Sequence, residues 1–442
     1  MRLHSKIIRQ TISALFLVLT SCSVLADPAF DVWLSHLQEE AIESGVSIEA
    51  SAKAVQKIQF LPEVVALDRG QPEFISPFLE YYRRRVTTQR VEIGQEKLSQ
   101  YHDYLSDLTQ QYGVPGNYLI AFWGMETHYG SHQGNLDVLS SLATLAYEGR
   151  RAEFFKQQLM QALKIADQQQ HLLARWQGSW AGAFGHMQFM PSTYAAYATD
   201  GDADGVVDLI QSEEDAFHSA AKYLSKVGWQ KNQPAILEVV LPSHFAMQDA
   251  QLNIKKPLSE WSKLGVKAMQ GKKIIVEKTR VFQKKRRTHT ETFYEEVNVM
   301  IEPSPLAEVL PNQQLSASIV LPQGYKGPAF LVFDNFQVIM DWNRSINYAL
   351  SVAQLAQRLD GQMPFLAGEQ AEKGALSFVQ MQNLQIMLNQ LGFDAGEPDG
   401  LPGLKTQAAI RQYQLSQNLP ADGYASLSLY YLLDMKASVA TQ

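Results

Sequence analysis

Apolar positions recur every three to four residues from Phe30, Trp33, Leu34 and Leu37 onward, the spacing of helices that turn one face to a core. The pattern runs to Gln111 with breaks at Gly45, Pro62, Pro72, Pro77 and Gly94, and it predicts a helical scaffold. In the next stretch, YGVPGNYLIAFWGMETHYG from Tyr112 to Gly130, Pro115 suits a first helical turn and Gly130 an exit. Leu119, Phe122, Trp123 and Glu126 share helical spacing there, which predicts Glu126 on the inward face. Further helices are predicted after Leu136 and after Arg151. The period changes over 271–303, where KKIIVEKTRVFQ and ETFYEEVNVMIE flank KKRRTHT. Two runs rich in β-branched and aromatic residues around a polar centre predict a β-hairpin, here with a basic tip at Lys284, Lys285, Arg286 and Arg287. Short strands are predicted from Leu321 to Phe336, a helix at WNRSINYAL and a glycine-bearing linker over 366–376. A separate helical unit then covers 377–436, with Met381, Leu384, Leu388 and Leu391 as its first stripe and Thr406 as a helix cap.

A carboxylate on an oily helix face is the first candidate for chemistry. Desolvation disfavours its charged form and raises its pKa, the condition for an acid that still holds a proton near neutral pH. The helix alone leaves a second reading open: a structural glutamate paired with His128 or a distant arginine. Elsewhere Phe78, Tyr81 and Tyr82 precede Arg83, Arg84 and Arg85. Aromatic faces and guanidinium groups suit a sugar cleft, although a solvated helix face beside core aromatics is the plainer reading. In GSWAGAFGHMQFMPSTY, from Gly178 to Tyr194, glycines permit close backbone approach, and Ser179, Gln188 and Tyr194 offer neutral hydrogen-bonding groups among aromatics. That mixture suits a neutral ligand rich in hydroxyl and amide groups.

Composition narrows the class. The chain has 442 residues, 46% of them hydrophobic, enough for a large core and more than one domain. A net charge of −7 and a pI near 5.8 argue against a general nucleic-acid binder. The single cysteine, Cys22, excludes disulfides and cysteine-based metal sites as supports of the fold. Cys22 lies in 1–26, where Arg2, Lys6 and Arg9 precede the apolar run Ile12 to Leu19, a signal peptide too short to span a membrane. Two processing sites compete. Val24-Leu25-Ala26 fits ordinary cleavage before Asp27, while Leu19-Thr20-Ser21-Cys22 resembles a lipobox, which would anchor the protein to the outer membrane through acylated Cys22. Amphipathic spacing already begins at Phe30 and would leave a lipidated Cys22 almost no tether, so a protein free in the periplasm is expected.

DGDADGVVDLIQ follows directly after Ala198-Thr199. Asp200, Asp202, Asp204 and Asp208, with Gly205 at the turn, match the calcium-loop pattern, but Gln211 stands where a bidentate glutamate is wanted. Glu213, Glu214 or Asp215 would have to complete the site. Four carboxylates this close repel one another without a cation, so a structural calcium ion is expected, and no cofactor for the chemistry itself.

GMETHYG around Glu126, GRRAEFF from Gly149, GSWAGAFGHMQFMPSTY, and NFQVIMDWNRSINYAL from Asn335 to Leu350 together resemble the lytic murein transglycosylases of the B type. The resemblance implies a mainly α fold: a lysozyme-like catalytic domain over 27–365, its core at about 110–230, with a small β-containing subdomain carrying the hairpin. It implies cleavage of the MurNAc–GlcNAc β-1,4 bond of peptidoglycan without water, giving 1,6-anhydro-MurNAc ends. It also implies one catalytic acid/base, Glu126, with substrate contacts at Arg150, Arg151, Ser179, Gln188, Asn343 and Tyr348. Trp342 and Leu350 read as core. Ordinary glycosidases use two carboxylates, and these blocks offer no evident second one: Glu148, Glu153 and Asp341 read more simply as ion-pairing or exposed groups.

The C-terminal unit, with Leu391-Gly392, Asp399-Gly400, Gly403, Thr406 and Asp422-Gly423, resembles the three-helix peptidoglycan-binding module, which implies wall attachment. The expected partners are glycan strands and stem peptides, met by a monomer. The rivals are a muramidase of the same fold that admits water and a wall-binding scaffold that has lost activity.

Overall fold

The computed structural model describes residues 28–69, 76–169, 176–284 and 287–440. The signal segment with Cys22, and the hairpin tip at Lys285 and Arg286, lie outside the described residues. The scaffold opens with six helices: α1 (Pro28–Glu43), α2 (Ile48–Val55), α3 (Pro62–Arg69), α4 (Phe78–Arg85), α5 (Thr88–Gln100) and α6 (His102–Tyr112). Ser47 and Thr87 each cap the helix that follows, their side chains accepting from the amides of Ala50 and Arg90, which satisfies donors that a helix start leaves unpaired.

These helices surround α7 (Gly116–Thr127), which differs from its expected form. It has no polar face: every residue from Asn117 to Thr127 is buried except Glu126, which is half-buried. A helix apolar on all sides belongs inside a core, so Glu126 is the point where a core helix reaches an opening. The helix also stops earlier than Gly130, because His128 and Tyr129 both adopt left-handed backbone, with φ of 50° and 59°.

Around α7 lie α8 (Val138–Glu148), α9 (Ala152–Gln168), α10 (Pro191–Tyr197) and α11 (Glu213–Lys226), with a short antiparallel pair formed by β1 (Leu136–Asp137) and β2 (Gln177–Gly178). A six-stranded antiparallel sheet follows. It contains β3 (Ile236–Val240), β4 (Lys255–Pro257), β5 (Lys267–Lys284), β6 (Arg287–Pro305), β7 (Ser316–Val320) and β8 (Ala329–Val332), in the order β4-β7-β8-β3-β5-β6. Two short helices, α12 (Leu258–Lys263) and α13 (Leu306–Val309), bury Leu258, Trp261 and Leu306 with Ile319, Leu331 and Phe333 in a core of its own.

The hairpin is longer than 271–303. β5 and β6 pair from Lys267 opposite Pro305 to Lys284 opposite Arg287, while β3 meets the hairpin only at Lys267 and Ala268 of β5. Most of the hairpin therefore stands off the sheet as a two-stranded arm. Glu238 on β3 is half-buried and accepts from the amides of Leu366 (3.0 Å) and Ala367 (2.8 Å), which pins the start of the expected linker to the sheet.

From the sheet the chain returns to the helical core through α14 (Asp334–Trp342) and α15 (Ile346–Leu359), and α15 packs along α7, α5 and α4. The C-terminal unit is three helices, α16 (Phe378–Gln390), α17 (Leu404–Ser416) and α18 (Leu427–Ala440), around Leu384, Leu388, Ile410, Tyr413, Leu429 and Leu433. Two details of its expected form change. Leu391 is exposed beyond the end of α16, and Gly403, not Thr406, is the N-cap of α17. The Thr406 hydroxyl is buried and donates to the Ala395 carbonyl at 3.1 Å, closing the loop between helices.

Candidate active site

Two neutral donors converge on one oxygen of Glu126. The Trp342 indole donates to Oε1 at 2.9 Å, and the Tyr348 hydroxyl donates to the same atom. Local sequence explains how one turn delivers both. Trp342 is the last residue of α14, and Ser345 caps α15, its Oγ accepting from the Tyr348 amide at 3.3 Å, so Tyr348 lies in the first turn of the next helix. Tyr348 is buried, and that burial, reinforced by the Glu126 carboxylate, holds its hydroxyl pKa well above the ordinary tyrosine value. It therefore remains a donor at any working pH.

The surroundings are aromatic on one side. Trp342 tilts against Phe122 at 4.5 Å between ring centroids and meets Tyr223 edge-on at 5.2 Å, and Tyr223 meets Tyr197 edge-on at 5.0 Å. Tyr197, Tyr223 and Trp342 are half-buried, a partly open wall suited to the apolar face of a sugar ring. On the other side Tyr81 and Arg85 act electrostatically on Tyr348, and the Arg85 guanidinium lies 5.6 Å from the Tyr81 ring centre. The cluster that begins at Phe78 is thus divided. Phe78 and Tyr82 pack with Phe365 in the core, Arg83 and Arg84 are exposed, and Tyr81 and Arg85 adjoin Tyr348.

The other expected site residues are placed as follows. Arg150 and Arg151 both bind Asp68, Arg150 through Nε at 2.9 Å and Arg151 through Nη2 at 2.5 Å. Ser179 Oγ accepts from the Ala183 amide at 3.1 Å. Gln188, with φ of 49°, donates to the carbonyls of Gln133 and Gly185. Asn343 Oδ1 accepts from the Ser345 amide at 3.2 Å and so shapes the turn between the two donors. Of the expected contact residues, Tyr348 is hydrogen-bonded to Glu126, and the arginines, Ser179, Gln188 and Asn343 make the bonds just given to neighbouring segments. His128, considered as a partner of Glu126, instead accepts from Arg90 Nε at 3.3 Å.

Comparison with known proteins fits this geometry. The family model described as the transglycosylase SLT domain matches residues 29–303 and 282–357, and that of a peptidoglycan-binding domain matches 379–433. This chain belongs to the SLT transglycosylase family. Among solved structures, SltB3 from Pseudomonas aeruginosa in complex with NAG-anhNAM-pentapeptide is 37% identical, with a TM-score of 0.81 over 92% of this chain and 99% of that one. Slt35 from Escherichia coli in complex with calcium is 25% identical, with a TM-score of 0.59 over 76% of this chain and 95% of that one. Membrane-bound lytic murein transglycosylase B of Escherichia coli K12 is 38% identical over 162 residues, which are 36% of this chain and 45% of that relative. The match thus spans about half the length of this curated relative.

The three other carboxylates within or beside the sequence motifs are engaged elsewhere or exposed. Glu148 pairs with Arg69, Glu153 accepts from Gln157 at 2.9 Å, and Asp341 is exposed.

The acidic loop lies apart from Glu126. Asp200, Asp202 and Asp204 each offer a carboxylate oxygen within 4.8 Å of the others. Asp200 Oδ1 is buried without a hydrogen-bond partner among the described residues, an orphan that suits a cation ligand. Asp208 Oδ1 accepts from the amides of Ile210 (2.9 Å) and Gln211 (3.1 Å), so it shapes the loop and is not in the triad. Asp215 does not complete the triad either. It is fully buried and accepts from the amides of Gly201 and Asp208, both at 2.6 Å, and burial is the main reason its pKa is raised. Glu213 and Glu214 line the same depression as Asp202 and Asp204.

The sequence reading assigned Trp342 to the core and missed its bond to Glu126. The sequence places Trp342 at the start of a predicted helix, whereas it ends α14, three residues before the Ser345 cap of α15.

Proposed function

We propose that this protein is a peptidoglycan lytic transglycosylase in which Glu126 alone serves as acid and then as base, giving 1,6-anhydro-MurNAc ends. The observation that carries this is the convergence of Trp342 and Tyr348 on one Glu126 oxygen beside an aromatic wall. With Oε1 accepting both hydrogen bonds, the transferable proton of the acid form belongs on Oε2. Glu126 gives that proton to the leaving glycosidic oxygen. The resulting carboxylate takes the proton of the MurNAc C6 hydroxyl as that oxygen closes on C1, so the carboxyl group is regenerated and no water is consumed. Trp342 and Tyr348 lose no proton in this cycle and hold the carboxyl in both of its states.

Arg150 and Arg151, close together on Asp68, are read as contacts for substrate carboxylates, and Ser179, Gln188 and Asn343 as residues that shape the cleft. The Asp200, Asp202 and Asp204 triad is read as a structural calcium site, supported by the orphaned Asp200 oxygen and by the calcium bound to the Slt35 relative. A bound cation would relieve repulsion within the loop and take no part in bond cleavage. The enzyme works in the cell envelope, and we read its mature form as a periplasmic protein that begins at Asp27; a diacylglyceryl group on Cys22 would overturn that reading.

Glu126→Gln preserves shape and one hydrogen-bond acceptor but neither gives nor takes the proton. General acid–base catalysis typically contributes about 10²–10⁴-fold, and a group used twice belongs at the upper end, so turnover of purified sacculi is expected to be nearly abolished while sacculus binding persists. Substantial turnover in this variant would overturn the assignment.

A further inference from the structure

His186 lies between Glu126 and the acidic loop, and nothing in the cycle above uses it. It is 6% exposed, and besides a contact of its Nε2 with Gln133 Nε2 at 3.4 Å it makes three bonds to two separate segments. Its Nδ1 accepts from the Trp123 indole at 3.0 Å, and its carbonyl accepts from the Thr127 hydroxyl at 2.8 Å. Both partners belong to the last turn and a half of α7, on either side of Glu126 in sequence. Its amide donates to the Leu209 carbonyl at 2.9 Å, directly after Asp208. A parallel tie runs from Gln133 Nε2 to the Ile210 carbonyl at 3.0 Å.

Two glycines clear the space that this joint occupies. A Cβ on Gly130 would lie 2.6 Å from His186 Cε1, and one on Gly185 would lie 2.4 Å from the Leu209 carbonyl oxygen. Both have positive φ, 81° and 72°. The indole N–H can only donate, so Nδ1 carries the lone pair and Nε2 the proton. An imidazole held in one tautomer, with its backbone bonded on both sides, does more than fill volume.

We propose that His186 is a positioning residue for Glu126, fixing the last turn of α7 to the end of the acidic loop so that the carboxyl group stays in register with Trp342 and Tyr348. The proposal rests on the reading of Glu126 as acid and base. Without the imidazole acceptor the Trp123 N–H is buried and unpaired, the end of α7 shifts, and Glu126 loses alignment with the leaving oxygen. Glycan contacts remain. The expected loss is therefore in kcat and not in KM, since small displacements of a catalytic group are costly to turnover.

The test uses the full mature chain on solubilised glycan strands, with kcat, KM and melting temperature measured for His186→Leu, His186→Asn, Trp123→Phe and the double variant Trp123→Phe/His186→Leu. Asparagine can still present an acceptor to the indole; leucine cannot. His186→Leu and Trp123→Phe should each lower kcat by about tenfold or more with KM little changed, and His186→Asn should recover most of that loss. The double variant should be no slower than the slower single, the non-additivity expected of two residues that act through one bond.

Full kcat in His186→Leu, no recovery in His186→Asn, or additive losses in the double variant would each overturn the proposal. Should His186→Leu fail to fold, Trp123→Phe and His186→Asn still decide it: undiminished kcat in the first, or a collapse in the second, contradicts the positioning role. Glu126→Gln is run alongside. Its inactivity together with a contrary His186 result removes only this proposal, whereas its retained activity overturns both.

Discussion

Glu126 and Asp215 are both carboxylates within the helical unit, and they are satisfied in opposite ways. Asp215 accepts from the backbone amides of Gly201 and Asp208, which lie on the loop that leads into its own helix. Glu126 accepts from side chains 216 and 222 residues away in sequence. Backbone amides cannot be withdrawn without rebuilding a loop, so Asp215 is a structural tie. Side-chain donors fix the orientation of Glu126 while α7 stays intact, which is the condition for a group that must lose and regain a proton. Glu238 stands between the two, half-buried like Glu126 but held by the amides of Leu366 and Ala367.

The largest effect that would sharpen this contrast comes from removing the donors to Glu126. Tyr348→Phe keeps the ring beside Phe122, and Trp342→Phe keeps an aromatic against it; each should lower kcat by about 10- to 100-fold, because precise placement of a catalytic group is worth about that much. Melting temperature should change far less than activity. Equal losses of stability and turnover would make Trp342 and Tyr348 ordinary packing residues and break the contrast.

A smaller effect is expected at the acidic loop. Calcium should raise the melting temperature of the wild type, because a ligand that binds only the native state stabilises it, by about 2.7 kcal/mol at one hundred times Kd. Asp202→Ala should remove that gain. Melting curves indifferent to both calcium and chelator would leave the aspartates as a loop that binds its own amides only.

The smallest effect concerns Glu238. Burial raises its pKa from the ordinary 4.5, against the opposing pull of the Ala367 and Leu366 amides. The folded chain therefore keeps this proton to higher pH than the unfolded chain does. Its stabilising contribution is full below the unfolded value and is lost as pH rises through the folded one. Glu238→Gln, which cannot ionise, should gain stability relative to wild type as pH is raised from about 4 to 7. A difference in melting temperature that does not vary with pH would contradict the sign.

These regions were not equally legible in the sequence. The acidic loop is local: its aspartate spacing and Gly205 can be read in a dozen residues, although the spacing did not show that Asp208 and Asp215 would turn to backbone amides. The helices followed from periodicity, because each buries its own stripe, whereas the hairpin followed from its β-branched and aromatic runs although most of it stays exposed. Around Glu126 the sequence pointed to the residue and to Tyr348, but the face argument was too narrow, since α7 is buried on every side. Trp342 was read as packing because hydrophobic spacing records which side chains are inside and not where one N–H points. His186 stood within a glycine-rich block whose spacing carries no sign of its bonds to Trp123, Thr127 and Leu209.

The most direct test of the central claim is to digest purified sacculi with the wild-type enzyme in water enriched in heavy oxygen and to weigh the muropeptides released. A single carboxyl group that returns its proton through the MurNAc C6 oxygen predicts 1,6-anhydro ends, each lighter by one water than a reducing end and free of the heavy isotope. Reducing ends labelled with heavy oxygen would mean that water attacks the sugar and that Glu126 acts in a hydrolase.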